Sequence, residues 1–322
     1  MSTEDIEAPY PAFEAYADEP IPQAAPGAPG KEGELELVFA ADGGRTRLVH
    51  DYARVPYHVS GTLAHDPHSD AATVYVQSPT GGIAQGDRLR ADIRTNSGAV
   101  ASVSTGSATK VQSMDRNYAA ARTSLAADPR SHLEYVPEPT ILHEGARFSR
   151  ETTLTVAASA TAIVGEAVVP GRLARGERFD FERYFSRLCV DGPDGLLFED
   201  ATHLRPNGPD ESNEYDRTDE AEGTDRPGPT APGVCGEFSV HGSLYVVAPE
   251  ADGSSLADRL HERVTGAERE VRAAATTLPN GAGALVRALA DRAETATETL
   301  HEAWDGARRE LSGVGAPDTR RY

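Results

Sequence analysis

Residues 97–103 read Ser-Gly-Ala-Val-Ala-Ser-Val, and two later stretches of the chain can be laid over them. These are 129–135, Pro-Arg-Ser-His-Leu-Glu-Tyr, and 158–164, Ala-Ser-Ala-Thr-Ala-Ile-Val, at offsets of 32 and then 29 residues. Each copy begins with a small-residue turn and continues into an alternating strand. Such spacing is typical of strands that stack on their counterparts in a solenoid-like layer. Because the identities are few, an accidental likeness explains them equally well.

The chain on either side of these copies is rich in short β-type runs. VYVQS, LRADI, RETTLTV and YFSRLCV alternate or carry β-branched residues, and Gly, Pro, Asn or Asp turns bound most of them. No long helical period fits between residues 35 and 200. The sequence therefore predicts a mainly β fold, with a stacked-sheet or solenoid-like β body.

The C-terminal part has a different pattern. EFSVHG and SLYVVA predict one more strand pair. Apolar residues then recur at spacings of three and four, first from Leu256 to Val271 and then from Leu285 to Leu311 through Leu289. These two periods predict two amphipathic C-terminal helices, which pack against the β body or against a partner.

Composition divides the chain into four segments. Residues 1–33 are rich in Pro, Ala, Gly and acid and are expected to form a disordered tail. Residues 34–204 are the β body, and 205–233 read as a flexible acidic insertion. Residues 234–322, the strand pair and the helices, are expected to complete the same domain.

The net charge of the chain limits the classes of partner that it is expected to bind. Asp and Glu number 51 against 31 Lys and Arg, and only Lys31 and Lys110 are lysines. A net charge of −20 argues against nucleic acid and anionic membranes as partners. Acid spread along the whole chain indicates adaptation to high salt, hence a halophilic source; an acidic metal-binding surface is the alternative. With no apolar run of membrane length and no signal-peptide pattern, we expect a cytoplasmic protein.

The sequence carries no recognisable enzymatic motif. GGIAQG fails the dinucleotide pattern, and in residues 106–110, Gly-Ser-Ala-Thr-Lys, the lysine follows the threonine, unlike in a phosphate loop. There is no GxSxG elbow and no HExxH, and Cys189 and Cys235 lack metal-site spacing. We therefore expect a non-enzyme without a tightly bound cofactor.

One histidine-rich stretch could hold a divalent metal. His58, His65 and His68 precede Asp70, and imidazole and carboxylate ligands suit nickel or zinc. An exposed polar turn explains the same residues, because Pro67 interrupts them. They are weak candidates for a metal site, and a metal-dependent hydrolase built on them is the least favoured function.

Six local patterns follow one another in order. They are the glycine-rich turn 78–89 (SPTGGIAQGDRL), 107–110 (SATK), 133–142 (LEYVPEPTIL), 144–147 (EGAR), 165–166 (GE) and 170–179 (PGRLARGERF). In order and spacing they resemble the motifs of the urease accessory protein UreD (UreH) family. Gln85 stands in place of a family glycine, Tyr135 in place of a tryptophan, and the 205–233 insertion is extra.

The resemblance implies a function. UreD proteins are largely β, are not enzymes, and bind the accessory protein UreF, which recruits the GTPase UreG before the assembly docks on apo-urease. Nickel is thought to reach the urease site through UreD, so transient nickel is the implied cargo. A β module that binds protein or carbohydrate without a metal role is the alternative.

Polar residues within the matching segments are the candidates for a nickel path. A cation path through a β body needs inward carboxylates and hydroxyls, which are otherwise costly to bury. The candidates are Asp87, Thr109, Lys110, Glu134, Glu166 and Glu177. The residues expected to form the turns of the motifs are Gly81, Gly82, Gly86, Pro137, Gly145 and Gly176. Salt bridges and turn caps are the competing roles, most directly for Asp87 and Glu177.

Overall fold

Two β-sheets face each other across an apolar core in the computed structural model, which describes residues 11–21, 29–63, 66–206, 228–266 and 270–317. Sheet A has seven strands, in spatial order β14 (Gly195–Leu204), β13 (Arg183–Gly192), β11 (Arg147–Val156), β8 (Ala119–Ala127), β5 (Arg88–Thr95), β1 (Glu32–Asp42) and β2 (Arg45–Arg54). The main path of sheet B runs β16 (Val271–Thr277), β17 (Gly283–Ala290), β15 (Val240–Val247), β12 (Thr161–Val169), β9 (His132–Tyr135), β6 (Val100–Thr105), β4 (Ala72–Gln77) and β3 (His58–Leu63). Two short strands, β7 (Thr109–Val111) and β10 (Thr140–Leu142), join sheet B beside β12.

The centre of both sheets is a parallel solenoid. In sheet B, His132 pairs with Val100 on one side and Thr161 on the other, at the offsets of 32 and 29 residues that the sequence indicated. In sheet A, Ala120 pairs with Arg88 and Ser149 at the same two offsets. The chain thus alternates between the sheets in successive coils. The prediction of a mainly β, stacked and solenoid-like body is confirmed.

Alternation along each strand decides what the core contains. In β11 the residues with the parity of Phe148, Leu154 and Val156 face sheet B and are buried. Leu133 of β9 and Val164 of β12 meet them from the opposite sheet. Complete burial of such a side chain contributes about 1.5–3 kcal/mol. Repeated over several coils, this burial holds the two sheets together.

Two helices cover the outer face of sheet B. They are α2 (Gly253–Thr265), which Asp252 caps by accepting from the backbone N–H groups of Ser254 and Ser255, and α3 (Ala293–Ser312). Leu260 and Trp304 of these helices pack against the sheet. Within the described residues, no helix is both long enough and apolar enough to cross a membrane.

The C-terminal segment differs from its predicted layout. Two amphipathic helices are present, but Val271 lies in β16, and Leu285 and Leu289 lie in β17. The predicted strand pair is the single strand β15. Except at the exposed Arg287, the run from 284 to 290 is apolar on both faces because sheet B buries it between the core and the helices, and such a run fits a helix or a buried strand equally well.

The N-terminal segment also differs from the expected disordered tail over 1–33. Residues 11–21, here called the N-terminal strap, contain a 3-10 turn (Pro11–Phe13) and the short helix α1 (Glu14–Ala17). Phe13 is fully buried and packs with Tyr16 against Tyr118 and Phe185. Residues 1–10 and 22–28 of that prediction lie outside the described residues.

Most of the predicted 205–233 insertion, residues 207–227, lies outside the described residues. Its end forms hydrogen-bonded turns: the N–H of Ala231 donates to the Gly228 carbonyl and that of Cys235 to the Pro229 carbonyl, both at 2.9 Å. Pro229 and Cys235 are buried. The last residues of the segment therefore form part of the folded body.

Candidate functional site

A cavity of about 100 Å³ lies between the two sheets, where the strands of sheet A begin and those of sheet B end. Its side from sheet A consists of Leu35, Leu89, Ala91, Ala121, Thr123, Phe148 and Arg150. Its side from sheet B and the adjoining loops consists of Tyr57, Val76, Gln77, Ser78, Ile83, Thr105, Ser107, Ala108, Thr109, Tyr135 and Pro137. Gln77, Ser78 and Ser107 are exposed and mark its opening to solvent.

The solenoid register creates this space. Leu89, Ala121 and Arg150 occupy equivalent positions on the neighbouring strands β5, β8 and β11. All three line the cavity, so their side chains point toward sheet B. Because the middle position carries only a methyl group, the strands leave an open volume next to the Arg150 guanidinium.

Arg150 stands at the inner end of the cavity. Its Nη2 donates to Thr140 Oγ1 at 3.3 Å, from β11 to β10. Burial alone favours the neutral guanidine, but Tyr184 and Glu166 outweigh it and raise the pKa of Arg150. The side chain is therefore a permanent positive charge inside the β body.

Glu166 lies beyond Arg150 in the same interior layer. It has the parity of Val164, so it projects from β12 toward sheet A. Its Oε1 accepts a hydrogen bond from the Tyr184 hydroxyl, and its Oε2 accepts one from Ser186 Oγ at 2.8 Å, both from β13. A carboxylate thus bridges the two sheets where an apolar pair would otherwise complete the core.

Polar groups continue from Glu166 to the edge of the sheets. The ring of His241, on the neighbouring strand β15, feels the charge of Glu166, and burial lowers its pKa. Tyr245 of β15 donates from its hydroxyl to Asp200 Oδ2 at 2.7 Å, and Arg287 pairs with the same carboxylate. The row of polar side chains therefore crosses the interior from the cavity to β14.

The tyrosines of this row stay protonated. Burial raises the pKa values of Tyr57, Tyr184 and Tyr245, and nearby Tyr135, Glu166 or Asp200 add to the effect. A neutral phenol is a hydrogen-bond donor as well as an acceptor. These groups can therefore orient water or a ligand without adding charge.

Two of the six candidates for the nickel path lie in this interior. Thr109 lines the cavity from β7, and Glu166 belongs to the polar row behind it. Both β7 and β12 pair with β10, so Thr109 and Glu166 lie on strands of the same sheet with one strand between them. Pro137, expected at a turn, also lines the cavity.

Asp87 lies elsewhere, in a closed turn. It is fully buried, and its carboxylate accepts from the backbone N–H groups of Lys31 and Ala84 at 2.9 and 2.8 Å. Lys31 Nζ is 3.0 Å from Oδ2. This arrangement is a turn cap, which is the alternative to a cation-binding role for Asp87. It also places Lys31, in addition to Lys110, in the folded body.

Glu134 points away from the cavity. It has the parity opposite to Tyr135, so it faces the helices on the outer side of sheet B. There it lies 2.7 Å from His132 Nε2, and its Oε1 is 3.4 Å from Arg308 Nε of α3. Arg308 also holds Asp66, with Nη2 2.6 Å from Oδ1. We call these four residues the Arg308 cluster.

Lys110 is a surface residue, and Glu177 is a half-buried residue of a surface turn. The Lys110 side chain is exposed, and its backbone carbonyl accepts from Ile83 N–H at 2.8 Å. Glu177 accepts from Arg172 Nε at 2.7 Å, and this hydrogen bond lowers the pKa of Glu177. Both side chains belong to motif turns rather than to the interior.

The histidine candidates do not gather around a common point. His58 is exposed on β3, and the His68 ring accepts from Asp70 N–H at 3.3 Å within its own turn. His65 lies outside the described residues. In the parts of the chain that the structure describes, no three His, Cys, Asp or Glu side chains are close enough to hold a metal ion.

The predicted motif glycines occupy turns. Positive φ angles occur at Gly81, Gly82, Gly86, Gly145 and Gly176. At Gly82 a Cβ atom would lie 2.3 Å from the Lys110 carbonyl oxygen, so glycine is required for the close approach to β7. Gln85 does not disturb the turn, because its Oε1 accepts from the backbone N–H groups of Asp115 and Arg116.

The motifs did not reveal the most prominent residue of the cavity, Arg150. Its signal was present in the alternation of RFSRETTLTV, where Phe148, Arg150 and Leu154 share the inward face. An arginine at an inward position of a buried strand is unusual. Tyr57 and His241 lie outside the matching segments, and no sequence pattern marked them.

Comparison with known proteins places these features in a family. The family described as UreD urease accessory protein matches residues 31–321. The urease accessory protein UreD of Haloarcula marismortui is 56% identical over 98% of this chain and 99% of its own length. UreD of Natronomonas pharaonis is 42% identical over 97% and 98%, and UreD 2 of Streptomyces griseus is 35% identical over 92% and 96%.

Proposed function

Because the chain belongs to the UreD family of urease accessory proteins, we propose that it is a scaffold for inserting nickel into apo-urease. In this proposal it acts in the cytoplasm, in a complex with the accessory protein UreF and the GTPase UreG, and is not itself an enzyme. Nickel is its transient cargo. The observation that carries the proposal is the match over residues 31–321.

The polar row inside the β body supports a route for the cargo. A carboxylate between two packed sheets is unfavourable unless it is paired, so a core made only for stability has little use for the half-buried Glu166. Thr109 at the cavity and Glu166 behind it are the two candidates whose positions suit such a route. Asp87, Lys110, Glu134 and Glu177 have structural or surface positions and are not part of the proposed route.

The nucleotide chemistry belongs to a partner in this proposal. Residues 106–110 form an exposed turn that enters β7, not a loop at the start of a helix. A phosphate loop works by presenting backbone N–H groups at a helix N-terminus. The isolated protein is therefore expected not to bind GTP, which equilibrium dialysis with labelled GTP measures; saturable binding at micromolar concentration would contradict the division of labour.

The decisive experiment is deletion of this protein in a urease-positive host. Urease subunits should be made and assembled but should lack nickel and activity, as measured by nickel per purified urease active site. Re-expression of the unchanged protein should restore the nickel. Normal nickel content in the deletion strain would contradict the proposal, and the non-metal β binding module would then be favoured.

The proposed route has its own test in Glu166→Gln, which keeps the shape of the side chain and removes its charge. Nickel loading should fall while a pull-down of the accessory complex stays normal. Glu177→Gln is the matched control, because it removes a carboxylate that is also half-buried but lies outside the polar row, and it should leave loading unchanged. Equal loading in both variants would remove Glu166 from the route, and joint loss of complex and nickel would assign it to an interface.

A further inference from the structure

The Arg150 guanidinium is short of acceptors. A guanidinium has five N–H donors. Among the described residues its only hydrogen bond is the one to Thr140 Oγ1, which at 3.3 Å exceeds the usual 2.7–3.2 Å range. Arg150 is half-buried, and none of its nitrogens is both fully buried and unpaired, so its remaining N–H groups face accessible space. The remaining donors require acceptors, and the space available to supply them is the cavity that Arg150 lines.

The cavity itself offers a positive charge and no negative one. Its described lining includes Arg150 but no aspartate and no glutamate. The nearest carboxylate that acts on Arg150 is Glu166, whose two oxygens already accept from Tyr184 and Ser186. In a protein of net charge −20, a guanidinium is therefore the only charged group in the described lining of this pocket.

Hydroxyl donors surround the same space. Tyr57, Tyr135 and Thr123 line the cavity, and burial keeps the Tyr57 phenol protonated by raising its pKa. A cavity needs only about 10–15 Å³ to hold one water molecule. The observed volume of about 100 Å³ therefore accommodates a small ion together with several waters.

The walls select the kind of ion. Apolar side chains, among them Leu35, Val76, Leu89 and Phe148, lie between the polar groups of the lining and offer an ion no hydrogen bond. A strongly hydrated dianion would lose water contacts there without replacement, and its second charge would have no partner. A weakly hydrated monovalent anion needs few donors, and one guanidinium neutralises it.

We propose that this cavity is a binding site for one small monovalent anion, such as chloride or bromide, held by the Arg150 guanidinium and the hydroxyls of Tyr57 and Tyr135. The anion completes the hydrogen bonding of a cation that the fold leaves exposed to the interior. The site can be occupied in the isolated protein, and an anion beside Arg150 would neutralise the charge that otherwise opposes a cation passing Thr109, which lines the same cavity.

Bromide titration of the purified full chain tests the site. At constant ionic strength in potassium glutamate, the ⁸¹Br resonance should show excess line broadening that saturates as a single site. Nitrate should displace the bromide, and sulfate at equal ionic strength should not. Absence of a saturable component would overturn the proposal, and tighter binding of sulfate would overturn the assigned selectivity.

Variants locate the site. Arg150→Met should abolish the saturable component, and Arg150→Lys should weaken bromide binding about tenfold or more, because the ammonium lacks the forked donors. Arg122→Met is the matched control, since Arg122 lies on the neighbouring strand β8 but pairs with Glu151 on the outer face. Unchanged broadening in Arg150→Met would mean that bromide binds elsewhere.

A second pair of measurements covers the case in which Arg150→Met does not fold. The double variant Tyr57→Phe with Tyr135→Phe keeps all charges and should weaken bromide binding several-fold. Crystals of the unchanged protein in bromide should show an anomalous peak within hydrogen-bond distance of the Arg150 guanidinium. Full affinity in the double variant together with an empty cavity in the bromide crystals would refute the site.

Discussion

At the scale of single residues, the Arg308 cluster contains ion pairs that are almost completely buried. The side chains of Arg308 and Asp66 are 1% and 2% exposed, and Glu134 is 1% exposed. Burial disfavours the charge, but hydrogen bonding to Asp66 and the charge of Glu134 raise the pKa of Arg308. The Arg308 cluster therefore links α3 to β9 and to the loop before β4 through ion pairs that are shielded from water.

Arg308→Met should lower the free energy of unfolding by about 3–5 kcal/mol, the cost of leaving buried carboxylates without a counter-charge. Arg309→Met is the control: Arg309 is 58% exposed and pairs with Asp305 one turn away, so its loss should cost less than about 1 kcal/mol. Denaturant unfolding of both variants measures the difference. Adding Glu134→Gln to Arg308→Met should recover part of the loss, and equal costs for the two arginines would contradict this account.

His241 makes stability depend on pH. Burial holds its pKa below the ordinary 6.5, so below that pH the unfolded chain takes up a proton that the native chain does not. Stability should therefore fall as pH drops below about 6.5, with a slope of up to about 1.4 kcal/mol per pH unit from this one group. His241→Gln should flatten the slope between about pH 5 and 6.5. The exposed His58→Gln should not, and an unchanged slope in His241→Gln would assign the dependence to other groups.

Strand parity explains why Glu166 faces the interior of the β body and other candidate residues do not. Glu166 shares its inward face with Val164, and this alternation was visible in the sequence. Glu134 lies in an equally apolar strand but faces the other way, toward Arg308 of α3. The sequence does not show on which face of the sheet that helix packs. Asp87 and Glu177 lie in turns, where hydrogen bonds with Ala84 or Arg172 decide their role.

At the scale of elements, the N-terminal strap is attached by aromatic packing, an ion pair and hydrogen bonds rather than by strand pairing. Phe13 fills a small aromatic cluster, Glu19 pairs with Arg147 at 3.3 Å, and the Tyr16 hydroxyl donates to Glu182 at 2.6 Å. Burial and that hydrogen bond raise the pKa of Tyr16 to about 12. Because the strap adds no strand to either sheet, it can detach without opening the solenoid.

Phe13→Ala should release the strap. Removing a buried phenylalanine costs about 3–5 kcal/mol, and the strap shares no strand with either sheet, so local detachment should replace global unfolding. We expect limited proteolysis within residues 14–21 to accelerate at least tenfold while the main unfolding transition changes little. Tyr52→Ala, an exposed aromatic on β2, is the control. A matching fall in global stability would show that the strap is part of the main cooperative unit.

The elements that the sequence predicted best are those with a repeated environment. Successive coils bury equivalent positions, so the same alternation recurs at 32 and 29 residues and reveals both period and register. At the C-terminus the environment changes with each element. There β17 is buried on both faces, and its apolar run imitates a helix. The strap was missed because it is short and rich in Pro, Ala and acid, while two aromatic residues anchor it.

At the scale of the whole molecule, charge governs stability. With a net charge of −20, self-repulsion opposes the folded state at low salt. The screening length falls from about 10 Å at 0.1 M to about 3 Å at 1 M salt. The relatives from Haloarcula and Natronomonas accord with a composition adapted to such conditions.

Raising potassium chloride from about 0.2 M to 3 M should increase the melting temperature by about 10 °C or more, equivalent to about 3–5 kcal/mol for a domain of this size. Potassium glutamate should give most of the same increase, because screening does not depend on the anion. Glycine betaine at matched osmolality controls for solute exclusion. A melting temperature that is flat in salt would contradict the role of self-repulsion.

The ion pair of Arg308 also affects the order in which parts of the protein can fold during synthesis. Arg308 lies 242 residues after Asp66. A ribosome adds about 5–20 residues per second, so about 12–50 seconds separate the synthesis of the two. During that time the early coils can stack, but Asp66 and Glu134 must stay hydrated until α3 emerges and covers them. Any product truncated before α3 therefore exposes the outer face of sheet B with two uncompensated carboxylates, and cellular proteases can distinguish it from a finished chain.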